Sequence, residues 1–385
     1  YTPFYFLVKR FLKNLDNLFF IFIMKNVYNC FYFKVGYVML TSFGILFGFL
    51  FGFFLKRSHY CIAGGLRDIT LEKNISGLIS VLLIIFIQAG IFFSLIKLGI
   101  MPAADYPNYS LLAMIIGGFV FGIGAVASSG CISTALVKVG DGRITGLITM
   151  LSFIITVSSV NNGLLSNITA PLQNMTVHQD TMAQTLQPFA IYIILAILVV
   201  TFIAMSSTLK KNKPSFNVPY NYTGLRNIIF ERRLDTLWAA VIIGIVAGFA
   251  FLSNYLAHDY GGFSITGPLS SWLTFLTSNG MSISWGMYFT VGIVLGSFVC
   301  SLGNGEFKLQ GSDGKTLFKA FIGGILMGFG AGLAKGCLVS NGLVYTAMFS
   351  IQGWIALISI FFGITCSSLL MFQIIPFHHL SYANR

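Results

Sequence analysis

Long apolar stretches separated by short polar connections dominate the chain from about residue 35 to residue 375. An α-helix needs roughly 20 apolar residues to cross a bilayer, and most of these stretches approach that length. The pattern predicts an all-α, polytopic membrane protein with about nine transmembrane helices. The predicted spans are 35–55, 75–98, 110–128, 144–160, 187–208, 235–256, 283–302, 317–334 and 352–375.

The composition agrees with this fold class and excludes others. Of the 385 residues, 56% are hydrophobic and 9% are charged, whereas a soluble domain holds about 25% charged residues. These values exclude a soluble enzyme and a disordered chain. The six cysteines include no CxxC pair, and they are too few for a disulfide framework.

Positive charge collects in the odd-numbered connections between the predicted spans. These connections hold fifteen Lys and Arg residues, whereas the even-numbered ones hold only Lys335. Because cytoplasmic loops are enriched in Lys and Arg, the odd connections are predicted to be cytoplasmic. The net charge of +12 is therefore assigned to topology, and no nucleic-acid partner is expected. Residues 1–34, which are aromatic and basic, are predicted to form an interfacial N-terminal segment.

The chain contains an internal repeat. Residues 117–131 align with residues 323–337 at an offset of 206, and seven of fifteen positions are identical, including five glycines and the final cysteine. A weaker match at an offset of 200 joins residues 44–49 to residues 244–249. Two similar offsets in the same order indicate a duplication.

The span count gives this duplication a direction. Spans one and six, and spans three and eight, are repeat partners, so an odd number of crossings separates them. This predicts an inverted-topology repeat within a single transmembrane domain, 35–375, with halves at about 35–160 and 235–375 and the span 187–208 as linker. Substrate sites in such folds lie near the midplane, at the interface between the repeats.

Four connections differ from ordinary surface loops. Each follows a glycine-rich span and continues in small or apolar residues instead of polar turn residues: 56–68, 128–143, 258–269 and 335–350. Irregular backbone at membrane depth is tolerated where it is packed in protein or lines a cavity. We therefore expect re-entrant loops with short helices that meet at the centre, two from each face.

Three cysteines stand where these loops turn into short helices. Cys131 and Cys337 occupy the same repeat position behind Gly130 and Gly336, and Cys61 lies in the first loop. A helix start favours anions and makes a thiol more polar. The alternative is that such cysteines are small buried hydrophobic residues. That interpretation is applied to Cys30 and Cys366, whereas Cys300 stays ambiguous.

Charged residues in the same loops have two interpretations each. Arg67 either binds substrate or pairs with Asp68, and Lys138 and Arg143 either face the site or extend to the cytoplasmic interface. No zinc-ligand spacing, P-loop, GxGxxG or serine-nucleophile motif occurs. The sequence therefore predicts no metal, no cofactor and no enzyme active site.

Residues 52–68, 122–131 and 328–337 together resemble the YeeE/YedE membrane family, also called the sulphur-transport domain family. The last two segments share the pattern Gly-x-Gly-x₅-Gly-Cys, and the match covers about residues 35–375. The resemblance implies a multi-pass protein of the bacterial inner membrane that imports thiosulfate. It also implies that Cys61, Cys131 and Cys337 pass the anion along by S–H hydrogen bonds, without covalent change.

The predicted substrate-binding set is Cys61, Cys131, Cys337, Gly130, Gly336 and Arg67. The expected partners are the lipid bilayer, a small sulfur oxyanion and, by resemblance, a cytoplasmic TusA-like or rhodanese-like sulfur acceptor. Two alternatives stay open. One is transport of a selenium or other sulfur species, because related members are associated with selenium metabolism. The other is a membrane thiol or persulfide oxidoreductase, which would need redox-cycling cysteines.

Overall fold

The computed structural model describes residues 40–102, 108–177, 194, 197–203, 205–206, 226–227, 230, 234–258, 262–277 and 283–371. Within them, twelve helices are numbered here in chain order, and one short segment is a π-helix, Ser340–Tyr345. The helices are α1 (40–58), α2 (Ile62–Glu72), α3 (Ser76–Lys97), α4 (Leu111–Ala127), α5 (Ile132–Gly140), α6 (Ile144–Asn162), α7 (Ser166–Asn174), α8 (Thr236–Leu256), α9 (Thr266–Thr277), α10 (Trp285–Asn304), α11 (Gly314–Leu333) and α12 (Ile351–Leu369).

Eight helical segments among the described residues are long and apolar enough to cross a membrane, which confirms the all-α, polytopic fold class. Each overlaps one of the predicted spans. Of the predicted span 187–208, only residues 194, 197–203 and 205–206 are described, and each of these is helical. The predicted interfacial segment, 1–34, lies outside the described residues. Two short strands, β1 (Tyr109–Ser110) and β2 (Thr176–Val177), pair antiparallel.

All four unusual connections contain a break followed by a short helical segment. A non-glycine residue with a positive φ angle stands at each break: His59, Ser129, His258 and Lys335. The segments that follow are α2, α5, α9 and the π-helix. This part of the loop prediction is therefore correct, whereas the entry of two loops from each membrane face stays a prediction.

Helices α4 and α11 cross where their glycines bring the two backbones together. A Cβ atom on Gly117 would meet the carbonyl oxygen of Gly330, and one on Gly330 would meet that of Gly117. The pair Gly124 and Gly323 is reciprocal in the same way. Since Gly117 and Gly124 align with Gly323 and Gly330 at the repeat offset, each contact is the counterpart of the other. Reciprocal contacts of this kind are those that a two-fold axis produces.

Other helix pairs repeat this reciprocity. Gly118 of α4 lies against Ser359 of α12, and its repeat partner Gly324 of α11 lies against Ser152 of α6. Helix α1 packs on α10 through Gly48, and its partner α8 packs on α3 through Gly248. The internal repeat is thus present in the packing as well as in the sequence. The inverted crossing of the membrane and the domain limits remain predictions.

Candidate functional site

The turn that carries Cys131 begins where α4 ends. The Ser128 hydroxyl donates to the carbonyl oxygens of Gly124 and Gly130, at 2.9 and 2.8 Å. Ser129 then has a φ angle of 57° and Gly130 one of 148°. An L side chain rarely adopts the second value, so glycine is required there. Cys131 follows in extended backbone as the N-cap of α5 and is fully buried.

Thr134, in the first turn of α5, links two cysteines. Its hydroxyl donates to the sulfur of Cys61 at 3.1 Å and lies 3.7 Å from the sulfur of Cys131. The hydroxyl of Ser133 lies 2.9 Å from the same Cys131 sulfur. A Cβ atom on Gly130 would stand only 2.8 Å from Thr134 Cγ2, so the glycine also makes room for this threonine.

Cys61 stands at the equivalent place in the first loop, as the N-cap of α2. Its sulfur accepts the backbone N–H of Gly64 at 3.3 Å. The hydroxyl of Thr134 thus lies between the sulfurs of Cys61 and Cys131. Two helix starts therefore converge on a cluster of two thiols and a hydroxyl, and none of the described cysteines forms a disulfide.

Cys337 has a similar arrangement in the other half, although a turn and the π-helix follow it in place of an α-helix. It is fully buried, its backbone N–H donates to Ser340 Oγ at 2.8 Å, and that hydroxyl lies 3.7 Å from the Cys337 sulfur. A Cβ atom on Gly336 would stand 2.7 Å from Ser340 Oγ. Ser340 is thus the repeat partner of Thr134. Among the described side chains, no hydrogen bond links Cys337 to Cys61 or Cys131.

A cavity of about 180 Å³ opens beside Cys61 and Thr134. We call it the inner cavity. Its lining holds more cationic groups than acidic ones. The cations are Lys56, Lys138 and Arg143, and His59 lies beside them. Among the described residues, Asp141 is the one carboxylate of this lining. Lys138 also donates to the carbonyl oxygens of Ser128 and Ser129, both at 3.1 Å, at the end of α4. A cation is favourable at a helix C-terminus.

A second cavity, of about 360 Å³, adjoins the first and is called the outer cavity. His59, Asp141 and Arg143 line both cavities, whereas Glu306 and Lys308 line the outer one. Burial raises the pKa of Glu306, but the hydrogen bond and positive charge of Lys56 together lower it by more. The net pKa is therefore below its ordinary value. Glu306 is therefore anionic at neutral pH.

The basic connections meet at this end of the molecule. Lys56 of the first connection pairs with Asp141 of the third at 2.8 Å and with Glu306 of the seventh at 3.0 Å. Arg226 of the fifth connection donates to the carbonyl oxygen of Gly303, at the end of α10. The described parts of the odd connections thus contact one another or the end of α10, whereas their cytoplasmic position stays a prediction.

Three further residues that the sequence analysis discussed, Arg67, Cys300 and Cys366, do not line the inner cavity. Arg67 pairs with Asp68 at 3.1 Å on α2 and does not line the inner cavity, so the structure provides the ion pair that was one of its two interpretations. Cys300 is buried near the end of α10, and Cys366 is exposed.

Sequence reasoning missed several residues of the site. Thr134 and Ser340 carry a readable signal, because extending the repeat by three positions gives Gly-Cys-x-x-Thr and Gly-Cys-x-x-Ser. Asp141 and Glu306 carry none, since 165 positions separate these two partners of Lys56 and no spacing rule joins them.

Comparisons with known proteins agree with the motif. The profile of the family described as Sulphur transport matches residues 57–366. A protein named thiosulfate transporter TsuA from Escherichia coli (strain K12) is 32% identical over 333 residues, which cover 86% of this chain and 94% of the relative. A protein of the same name from Spirochaeta thermophila is 30% identical over 327 residues, covering 83% of this chain and 94% of the relative. The family match confirms the resemblance, and the chain is a multi-pass membrane protein that belongs to the sulphur-transport family.

Proposed function

We propose that the protein imports thiosulfate across the bacterial inner membrane. The observation that carries the proposal is the cluster of Cys61, Thr134 and Cys131, in which two thiols and a hydroxyl meet at two helix starts. Both curated relatives described above bear the name thiosulfate transporter. Their similarity over most of the chain supports the same substrate here.

The chemistry of the cluster suits a small anion in transit. A dianion that leaves water needs hydrogen-bond donors at every step, because an unpaired buried charge is very costly. Thiols and hydroxyls are neutral donors, and a thiol is a weak one. Weak donors suit conduction, since the anion must bind loosely enough to leave. We infer that Cys61, Cys131 and Cys337 act as successive donors and undergo no covalent change.

The helix starts add a favourable field to these donors. Cys61 and Cys131 are the N-caps of α2 and α5, and the first backbone N–H groups of a helix carry partial positive charge. A side chain of Lys or Arg at the same place would bind a dianion more tightly and slow its release. The glycines before the two repeated cysteines are assigned a supporting role, because they make room for Thr134 and Ser340.

We further propose that the two halves cross the membrane in opposite directions. The reciprocal contacts of α4 with α11 support a two-fold relation, and the gathering of basic connections on one face supports a cytoplasmic position for the inner and outer cavities. A TusA-like or rhodanese-like acceptor in the cytoplasm would then meet the anion at this face.

Uptake of radiolabelled thiosulfate by the purified protein in liposomes tests this function. Wild-type protein is expected to accumulate label inside the liposomes, and unlabelled thiosulfate is expected to compete. Unlabelled sulfate, selenite and selenate form the competitor series, and preferential inhibition by a selenium anion would favour the alternative substrate. Absence of thiosulfate uptake by protein that is folded and inserted would contradict the proposal.

The shared neighbourhood of Cys61 and Cys131 favours one other function. Two thiols that lie near the same Thr134 hydroxyl can in principle exchange disulfides with a partner, although no CxxC pair is present. Mass spectrometry of the protein during thiosulfate uptake separates the two functions. Mixed-disulfide or persulfide adducts on Cys61 or Cys131 would favour the oxidoreductase, and unchanged thiols would favour transport.

A further inference from the structure

Lys56 lines the inner cavity and joins three segments of the chain. Its side chain is 4% exposed, and its ammonium group lies 2.8 Å from Asp141 Oδ2 and 3.0 Å from Glu306 Oε2. Lys56 is in α1, Asp141 caps the end of α5, and Glu306 follows α10. One buried cation therefore joins two carboxylates that belong to different halves of the protein.

The position of this group relative to the cavities is specific. Lys56 lines the inner cavity, Glu306 lines the outer cavity and Asp141 lines both. The pair between Lys56 and Glu306 therefore joins the linings of the two spaces, next to Asp141, which both linings share. An ion that moves from Cys61 to the outer cavity moves along these joined linings.

The charges on the two sides differ in a way that matters for an anion. Lys56, Lys138 and Arg143 face the inner cavity against the single carboxylate of Asp141, among the described residues. The outer cavity has Arg143 and Lys308 against Asp141 and Glu306, with His59 shared. An anion is thus attracted into the inner cavity, and Glu306 repels it at the way out.

The two carboxylates hold Lys56 with unequal firmness. Asp141 is 8% exposed in its side chain and Glu306 is 46% exposed. Water screens the Glu306 contact more strongly, so it is the weaker contact and the one that an incoming anion can replace. Asp141 would meanwhile keep Lys56 in place, so that the buried cation never loses all of its partners.

We propose that the Lys56–Glu306 ion pair closes the passage between the inner and outer cavities, and that a small oxyanion opens it by replacing Glu306 as a partner of Lys56. The proposal rests on the proposed function, because it takes the transported anion to be the opening ligand. It adds a release step after Cys61, in which Glu306 swings toward the outer cavity and the anion follows.

The test measures access to Cys61 and requires no transport. Wild type, Glu306→Gln and Asp313→Asn are reconstituted, and an anionic methanethiosulfonate is added to the face that carries Arg143 and Lys308. Peptide mass spectrometry then gives the rate at which Cys61 is modified. Asp313 is the matched control, because it is an exposed carboxylate on the connection that also carries Glu306. Lys56→Gln is a poorer variant, since it leaves the buried Asp141 without its cation.

Glu306→Gln is expected to raise the rate of Cys61 modification roughly three- to tenfold over wild type. Asp313→Asn is expected to stay within about twofold, because a screened surface charge acts weakly at a distance. In Glu306→Gln, modification of Cys61 by a neutral methanethiosulfonate is expected to be faster as well, because the passage itself has opened. An unchanged rate, or an acceleration of the anionic reagent alone, would overturn the gate and leave the proposed transport function untouched.

Discussion

The two repeated cysteine turns begin alike, but the helix that follows and the surroundings differ. In each, a residue with positive φ precedes a Gly-Cys pair, and a hydroxyl side chain stands three residues after the cysteine. Thr134 directs its hydroxyl to Cys61, beside a cationic cavity. Ser340 instead accepts the backbone N–H of its own Cys337.

The polar groups around the second turn also differ. Asn341, which follows Ser340, donates to the carbonyl oxygen of Ala334 and accepts from Gln352, and all three side chains are buried. This neighbourhood consists of neutral amides in place of the cations around Cys61. The duplication thus preserved the turn that presents a thiol, whereas water access and charge diverged. We infer that the first turn serves release of the anion and that the second serves an earlier step.

The largest expected effect comes from removing the thiol of Cys131, which belongs both to the predicted substrate-binding set and to the observed cluster with Cys61 and Thr134. Cys131→Ala is expected to lower thiosulfate uptake roughly 10- to 100-fold, because a hydrogen bond to a charged group contributes about 1.5–3 kcal/mol. Thiosulfate-dependent growth of a transporter-deficient host measures the effect, with Cys366→Ala, at an exposed position, as control. Normal growth of Cys131→Ala would contradict a role in transit.

Filling the α4–α11 crossing tests whether the two halves are structurally equivalent. Gly124→Val and Gly330→Val each place a side chain against a facing backbone, and each is expected to cost about 1–3 kcal/mol or more. Thermal unfolding in detergent measures both. The two variants are expected to lose similar stability, and a large loss from only one of them would show that the reciprocity is superficial.

The hydroxyls of Thr134 and Ser340 are expected to differ in role, with the first serving transport and the second serving stability. Thr134→Val removes a donor to Cys61 at nearly constant volume, and uptake is expected to fall roughly three- to tenfold with little loss of stability. Ser340→Ala leaves the buried N–H of Cys337 unpaired, which is expected to cost about 1–3 kcal/mol of stability. Uptake and thermal unfolding are measured on both variants. Equal losses of uptake and of stability in the two variants would show that the two turns have the same role.

The smallest expected difference concerns two lysines near the turns. Lys138→Gln removes the cation at the end of α4 and beside the inner cavity, so uptake at low thiosulfate is expected to fall roughly two- to fivefold. Lys335, which is exposed, occupies the second turn, and Lys335→Gln is expected to change uptake less than about twofold. A larger loss of uptake in Lys335→Gln than in Lys138→Gln would show that the cation that matters for the anion lies beside Cys337.

Sequence reasoning reached the parts of this molecule that depend on local pattern. The length of the apolar stretches predicted the spans. The Gly-Cys repeat located the turns of Cys131 and Cys337, because helix breaks and close crossings need glycine at fixed positions. The contact of Cys61 with Thr134 was not accessible, since it joins loops 73 residues apart. The partners of Lys56 were hidden for the same reason, as helix periodicity does not say which loop ends meet.

The central claim is that the Cys131 thiol acts as a hydrogen-bond donor and not as a nucleophile. Initial thiosulfate uptake by Cys131→Ser, compared with Cys131→Ala and wild type in the same liposomes, tests it most directly. Serine keeps a donor at the same place but lacks the redox chemistry of sulfur. We predict that Cys131→Ser transports roughly tenfold faster than Cys131→Ala. Equal loss of uptake in both variants, together with a covalent adduct on wild-type Cys131 during turnover, would contradict the claim.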